Sequence, residues 1–170
     1  MPYRLDTESR VYFYPDEFYC LSNFAPFRLH WRGLDFDTSE HVYHYEKFRH
    51  PGVDDACHIY CASCDLQCQI RVARSAHAAF RVAQDHAGLV ASTWHERRMA
   101  VMRAILIAKL RQHEYVRRKL LETGDREIVE DSWRDATWGW GPNHDGQNLL
   151  GKLWMALRED LKAGRLEGMG

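Results

Sequence analysis

The sequence predicts a mainly α domain of the α+β class, with a small antiparallel β element near the N-terminus and a series of helices after it. Two patterns support this prediction. Short aromatic runs of alternating polarity occupy residues 10–36, and apolar residues recur at helical spacing over most of residues 38–162. The length of 170 residues is typical of one domain. We therefore expect a single domain over residues 1–170, with its ordered core at residues 10–162.

The β element is predicted from the runs Arg10–Tyr14 and Phe27–Trp31. A proline, a Ser-Asn pair and an Arg-Gly pair interrupt these runs, which is typical of two or three short strands joined by tight turns. The first helix is expected at residues 41–49. Residues 37–40 read Asp-Thr-Ser-Glu and supply capping side chains, and Pro51-Gly52 ends the helix.

Helical spacing predicts four further helical stretches, which are residues 54–83 with a break near Ser75, residues 93–111, a helix from Glu114 that Thr123-Gly124 ends, and residues 149–161. Thr93 and Glu96 have the spacing of a capping box. Residues 131–147 contain three Trp and three Gly without helical period, which indicates a long ordered loop. Residues 162–170 are expected to fray.

The charge pattern argues against tight binding of a long polyanion. The formal net charge is -1, and basic and acidic residues are interspersed. A small phosphorylated ligand needs only a local cluster of donors and stays compatible with this pattern. No apolar run approaches the roughly 18 residues of a membrane span, and no signal-peptide region follows Met1. We expect a cytoplasmic protein without membrane contact.

A set of short motifs occurs in order along the chain. Residues 21–26 read Leu-Ser-Asn-Phe-Ala-Pro, residues 38–41 read Thr-Ser-Glu-His, and Lys47-Phe48 follows. The later blocks are Trp94 with Met102, Lys109, Thr123-Gly124, Val129-Glu130, Asp135-x-x-Trp-Gly139, and Gly146-x-Asn148-x-x-Gly151 with Met155 and Arg158. Over residues 13–161 the chain thus resembles the NADAR (YbiA-like) N-glycosidase family.

The resemblance implies a YbiA-like helical fold and an enzyme that hydrolyses a bond between ribose and nitrogen. Relatives act on phosphorylated riboflavin-pathway intermediates or remove ADP-ribose from a modified guanine base. The expected partner is a small nucleotide-like substrate or an ADP-ribosylated base in nucleic acid, with no cofactor and no metal. The implied catalytic residues are Glu40, Lys47 and Asp135, and the implied substrate-binding residues are Asn23, Phe24, His44, Trp94, Trp138, Gly139, Asn148 and Gly151.

Glu40 and Lys47 have side chains that suit this chemistry. Their spacing places them about 20° apart on one helix face, with ~10 Å of rise between them. A carboxylate can stabilise an oxocarbenium-like transition state or activate water. A lysine amine can instead attack a ring-opened ribose if burial or a neighbouring cation lowers its pKa. We expect the pocket between this helix and the loop at residues 131–147.

The same residues also have structural interpretations. Glu40 can cap its helix together with Asp37, and Lys47 can be a solvated basic residue. Asp135 can make a turn hydrogen bond, Trp94 and Trp138 can be core aromatics, and Gly151 can mark a close helix contact. Two departures from the family also affect substrate recognition. Relatives often have Gly-Arg where this chain has Ala83-Gln84, and tend to have Gln where it has His44 and Glu46.

Four cysteines, Cys57, Cys61, Cys64 and Cys68, fall in residues 54–70, an insertion relative to shorter relatives. On one helix the outer pair would be separated by ~16 Å, too far for a shared zinc ion. Their spacing predicts an apolar helix face. Two rivals to the glycosidase stay open: a non-catalytic module that binds ADP-ribose or a nucleotide, and an interaction protein organised by a metal on these cysteines. The sequence does not indicate an oligomeric state.

Overall fold

The computed structural model describes residues 6–13, 17–49 and 62–166. These ranges contain the strands β1 (Arg10–Tyr12), β2 (Leu29–Trp31), β3 (Leu34–Phe36) and β4 (Glu127–Val129). They also contain the helices α1 (Ser39–Lys47), α2 (Ala62–Arg71), α3 (Ala76–Asp85), α4 (Trp94–Gln112), α5 (Glu114–Glu122) and α6 (Leu149–Lys162). The predicted mainly helical α+β fold is confirmed. No helix within these ranges is long and apolar enough to cross a membrane.

The predicted antiparallel element is the hairpin of β2 and β3, in which Leu29 lies opposite Phe36. Arg32 and Gly33 form its two-residue turn, and both have a positive φ, as the twist of a tight hairpin requires. The strand β1 is not part of this hairpin. It pairs in parallel with β4, with Arg10 opposite Glu127, and the alternating pattern of β1 did not reveal this distant partner.

The chain divides into two compact units, and one of them comprises Asn23–Gln112. It holds the hairpin and α1 to α4, with α1 packed against the three other helices. Residues 39–46 of α1 are all buried, and five of their side chains are polar or charged: Ser39, Glu40, His41, His44 and Glu46. A helix with so many buried polar groups needs specific partners for them.

The other unit comprises Met1–Ser22 and His113–Gly170. It holds the parallel pair of β1 and β4 together with α5 and α6, and α6 packs against β4. Trp154 in α6 is fully buried, and its indole Nε1 donates a hydrogen bond to the Leu21 carbonyl at 2.9 Å. This bond ties the end of the N-terminal segment to α6.

The predicted helix boundaries are confirmed at three places and wrong at one, and Pro51-Gly52 lies outside the described residues. Thr38 caps α1 and Ser75 caps α3, which confirms the break near Ser75. Gly124 follows α5 with φ +64°, as a left-handed cap requires. The capping box at Thr93 is wrong: the Thr93 hydroxyl is buried and bonds to no described residue.

The cysteine prediction is also corrected where the structure describes it. Among the side chains of α2 whose burial is described, Leu66 and Ile70 are buried, whereas Cys64 is half-buried and Cys68 is exposed. Because Leu66 and Ile70 lie on the core-facing side of the helix, Cys68 lies on the side that faces away from the core. The spacing of the cysteines alone did not show this. Cys57 and Cys61 lie outside the described residues. Within the described ranges, no group of three or more His, Cys, Asp or Glu side chains is arranged to hold a metal ion.

Candidate active site

Glu40 lies in the first turn of α1 and is only 8% exposed. Its carboxylate does not cap the helix, because Thr38 accepts the bond from the His41 amide. Instead, Glu40 Oε1 lies 2.8 Å from Nε2 of His44, one turn further along, and His44 is 3% exposed. The first turn of α1 therefore presents a buried carboxylate that is held by a histidine.

Asn23 is brought to the same turn by the backbone, since the Glu40 amide donates to the Asn23 carbonyl at 3.1 Å. Its side-chain Nδ2 donates to the sulfur of Met102 at 3.4 Å. Asn23 Oδ1 and His44 Nδ1 are buried and accept no hydrogen bond from the described residues. Phe24, next in the chain, is half-buried. A ligand that brings donors to this turn would satisfy both unpaired atoms.

Lys47 lies in the last turn of α1 and is half-buried. Burial lowers the pKa of its amine, the Arg98 guanidinium lowers this pKa further, and the Glu40 carboxylate opposes both effects. The balance is a lowered pKa, so a larger fraction of the amine is neutral at a given pH. Burial and the neighbouring cation thus act on Lys47 in the direction that an amine nucleophile requires.

Trp94 begins α4 and is buried. Its ring lies 4.9 Å from the ring of Tyr43 in an edge contact, and the Arg97 guanidinium lies over it at 5.2 Å. These contacts hold the indole of Trp94 in place against α1. Arg97 covers one face of the Trp94 ring. A substrate base could stack on Trp94 only if Arg97 moved away from that face or if the base bound to the opposite face.

Glu46 is absent from the predicted site residues, yet it is the most completely buried carboxylate of α1, at 0% exposed. Its Oε1 accepts hydrogen bonds from Trp31 Nε1 and Arg32 Nε, both at 2.8 Å. Its Oε2 lies 3.4 Å from Nη1 of Arg97. No local spacing indicated this cluster, because its donors come from the hairpin and from α4.

The unit with the N- and C-terminal segments carries the other predicted site residues. Asp135 Oδ1 accepts from the amides of Thr137 and Trp138 at 2.7 and 2.8 Å, which is the turn role weighed above. Its second oxygen accepts no hydrogen bond from a described residue. Trp138 is half-buried. Asp135 therefore holds the loop with one oxygen and can present the other.

Gly139, Asn148 and Gly151 lie where the loop, β4 and α6 meet. Asn148 has φ +48°, and its side chain accepts from the Glu130 amide at 3.0 Å and donates to the Ile128 carbonyl at 2.9 Å. A Cβ atom at Gly151 would lie 2.0 Å from that same carbonyl oxygen, and one at Gly139 would lie 2.8 Å from the Glu130 carbonyl. Close backbone packing alone thus requires both glycines, and both ends of the Asn148 amide are used within the fold.

The predicted residues thus form two groups. Six of them, Asn23, Phe24, Glu40, His44, Lys47 and Trp94, belong to the unit built around α1, and the other five lie around the loop of the other unit. The family model of the NADAR domain matches residues 12–162. The chain belongs to the NADAR domain family.

Several known proteins are similar to the chain over most of its length. It is 33% identical over 156 residues to the N-glycosidase YbiA of Escherichia coli, which covers 92% of this chain and 89% of that protein. An N-glycosidase of Nostoc punctiforme is 32% identical over 154 residues, covering 89% of this chain and 92% of the relative. The solution structure of the E. coli protein YbiA superposes with a TM-score of 0.77 at 31% identity and covers 98% of this chain and 93% of that chain.

A riboflavin biosynthesis protein of Vibrio vulnificus is 36% identical over 157 residues. The match covers 91% of this chain but only 39% of the Vibrio protein, so the chain spans well under half of that relative. The structure also places three residues at which the sequence was expected to depart from the family pattern: Gln84, His44 and Glu46. Gln84 is exposed near the end of α3, and His44 forms a hydrogen bond with Glu40. Glu46 forms ion pairs with Arg32 and Arg97.

Proposed function

We propose that this chain is an N-glycosidase that hydrolyses the N-glycosidic bond of a phosphorylated riboside or of an ADP-ribosylated nucleobase. The observation that carries the proposal is the buried Glu40 carboxylate on the same helix as the Lys47 amine, whose pKa is lowered by burial. The N-glycosidase relatives, which the chain matches along most of their length, support the reaction type.

In the direct route Glu40 acts on the anomeric carbon. As the bond from C1′ to nitrogen breaks, its electron pair leaves with the base, and the ionised carboxylate stabilises the positive charge that develops on the sugar. A water molecule then bonds to C1′, Glu40 accepts the proton that this water loses, and this proton passes on to the nitrogen of the departing base, which restores the carboxylate. The products are the free base and a sugar with a hydroxyl at C1′.

In the covalent route Lys47 is the nucleophile. The ring-opened riboside carries C1′ as an imine of the departing base, and the neutral lysine amine adds to this carbon. Departure of the base nitrogen with the electron pair and a proton leaves a Schiff base on Lys47. Water hydrolyses that Schiff base and returns the amine. If the direct route operates, Lys47 and the neighbouring Arg98 instead pair with a substrate phosphate.

The other predicted residues are assigned supporting roles in this proposal. Asn23 and Phe24 border the first turn of α1, and Trp94 forms part of the wall around it. We assign Asp135 to the orientation of water or ribose through the oxygen that the turn leaves available. Trp138 contributes an aromatic surface beside it, while Gly139, Asn148 and Gly151 keep the loop in place.

A product screen tests the proposal. The purified chain is incubated with a panel of phosphorylated ribosides and ADP-ribosylated bases, and release of free base is followed by mass spectrometry. We expect turnover of at least one compound, and a loss of roughly 100-fold or more in Glu40→Gln, because the neutral amide cannot stabilise the cation or accept the proton of water. The matched control is Glu96→Gln, which removes an exposed first-turn glutamate from α4.

Two outcomes would contradict the proposal. Ligand binding without release of base by the wild type would favour the binding module, and equal rates for the wild type and Glu40→Gln would remove the carboxylate from the reaction. Borohydride reduction during turnover separates the two routes. A covalent adduct in the wild type that is missing in Lys47→Arg supports the amine route, and its absence in both supports the direct one.

A further inference from the structure

The His44 imidazole is the only side chain of the described residues that forms a hydrogen bond with Glu40, at 2.8 Å. The ring itself is fixed from two sides. It makes edge contacts with Tyr43 at 5.4 Å and with Phe80 at 5.7 Å between ring centroids. A histidine that is buried and held by aromatic rings cannot turn freely to offer its other nitrogen.

The pattern of partners decides where the ring carries its proton. Nε2 faces the carboxylate, whereas Nδ1 is buried and bonds to no described residue. In a neutral imidazole one nitrogen donates and the other accepts, and the hydrogen bond selects the tautomer. The proton therefore belongs on Nε2, which donates to Oε1 of Glu40.

We infer that His44 is a positioning residue for Glu40, and that it fixes Oε1 so that Oε2 is the oxygen presented to the substrate. The inference rests on the proposed function, since it concerns the carboxylate assigned to the reaction. The described residues give Oε2 no hydrogen bond, and the Glu40 side chain keeps 10% of its surface exposed. Without the imidazole, the carboxylate would be free to rotate between several staggered positions.

A glutamine at position 44 would offer Glu40 the same kind of donor, because its amide nitrogen lies at about the reach of the imidazole Nε2. An amide N–H can donate to the same carboxylate oxygen. His44→Gln therefore keeps the donor, whereas His44→Phe keeps a ring of similar shape and removes it.

The two variants and a matched control test the inference in the assay that detects base release. We expect His44→Phe to lower kcat by roughly 10- to 100-fold with a much smaller change in KM, the size expected from loss of a hydrogen bond to a charged group. His44→Gln should recover most of kcat. His77→Phe removes an exposed histidine that stacks on Phe80 at 6.1 Å and should have kcat near wild type.

A second measurement does not depend on turnover. Imidazole ¹⁵N spectra should show His44 protonated at Nε2 in the wild type, and its Nε2 signal should move in Glu40→Gln but not in Glu96→Gln. The inference is overturned if His44→Phe turns over like the wild type, if its cost falls on KM alone, or if His44→Gln is as slow as His44→Phe. A wild type that releases no base overturns the proposed function first and this inference with it.

Discussion

Glu46 offers a sharp test of how the fold holds its buried charge. Its side chain is 1% exposed, while the side chains of its partners Arg32 and Arg97 are 40% and 22% exposed. Glu46→Gln keeps the shape and the acceptor Oε1 but removes the charge. The contact with Arg32 then falls from an ion pair to a hydrogen bond with a neutral acceptor, and the contact with Arg97 Nη1 is lost because the amide nitrogen that replaces Oε2 cannot accept. Each change costs about 1 kcal/mol before solvent screening.

The expected total for Glu46→Gln is a loss of about 1–2 kcal/mol in the free energy of unfolding. For a chain of this size, that corresponds to a fall of about 2–8 °C in Tm. Glu46→Ala removes the acceptor of Trp31 Nε1 and Arg32 Nε and the counter-charge of Arg97, whose Nη2 keeps its bonds to the Glu46 and Arg49 carbonyls. This variant should cost about 3–5 kcal/mol. Thermal and urea unfolding measure both values.

The control for this prediction is Glu127→Gln, which neutralises the exposed pair of Glu127 and Arg10 at 2.6 Å. An exposed pair contributes at most about 1 kcal/mol, so this variant should unfold close to the wild type. The reasoning is refuted if Glu46→Gln stays within about 0.5 kcal/mol of the wild type, which is the range of ordinary surface substitutions.

Two further predictions concern Lys47 and Gly151. Burial lowers the pKa of Lys47 below its usual 10.5, so the native state disfavours the charged amine. Lys47→Met should therefore be more stable than the wild type near neutral pH. This advantage should shrink as the pH rises toward 10.5, because the amine of the native protein loses its proton at a lower pH than the amine of the unfolded chain. A stability difference in urea that stays constant over this range would contradict the assignment. Gly151→Ala should lower the free energy of unfolding by about 2 kcal/mol or more, because its Cβ would meet the Ile128 carbonyl oxygen. Gly88→Ala, where a Cβ meets nothing within 4 Å, is the control, and equal unfolding of the two variants would refute the packing argument.

The hydrogen bond between Glu40 and His44 is a contact that residue spacing in the sequence makes possible. The two residues are one turn apart, so their proximity follows from the helix alone. The sequence also located α1 and the two side chains to which we assign the reaction, because capping residues and helical period are local properties. It assigned His44 only to substrate binding, since local spacing does not say whether a histidine faces solvent, a ligand or a carboxylate.

The sequence by itself determined the helical character of the chain, the hairpin turn at Arg32-Gly33 and the family motifs in their order. Only the tertiary structure decided that β1 pairs with β4, that Leu66 and Ile70 rather than Cys68 face the core, and that Glu46 is enclosed by Trp31, Arg32 and Arg97. It likewise decided the lowered pKa of Lys47, which depends on the surrounding burial. The physical reason is range. Periodicity and capping act over one or two turns, whereas burial, strand pairing and charge pairing depend on residues that are distant in the chain and meet only after folding.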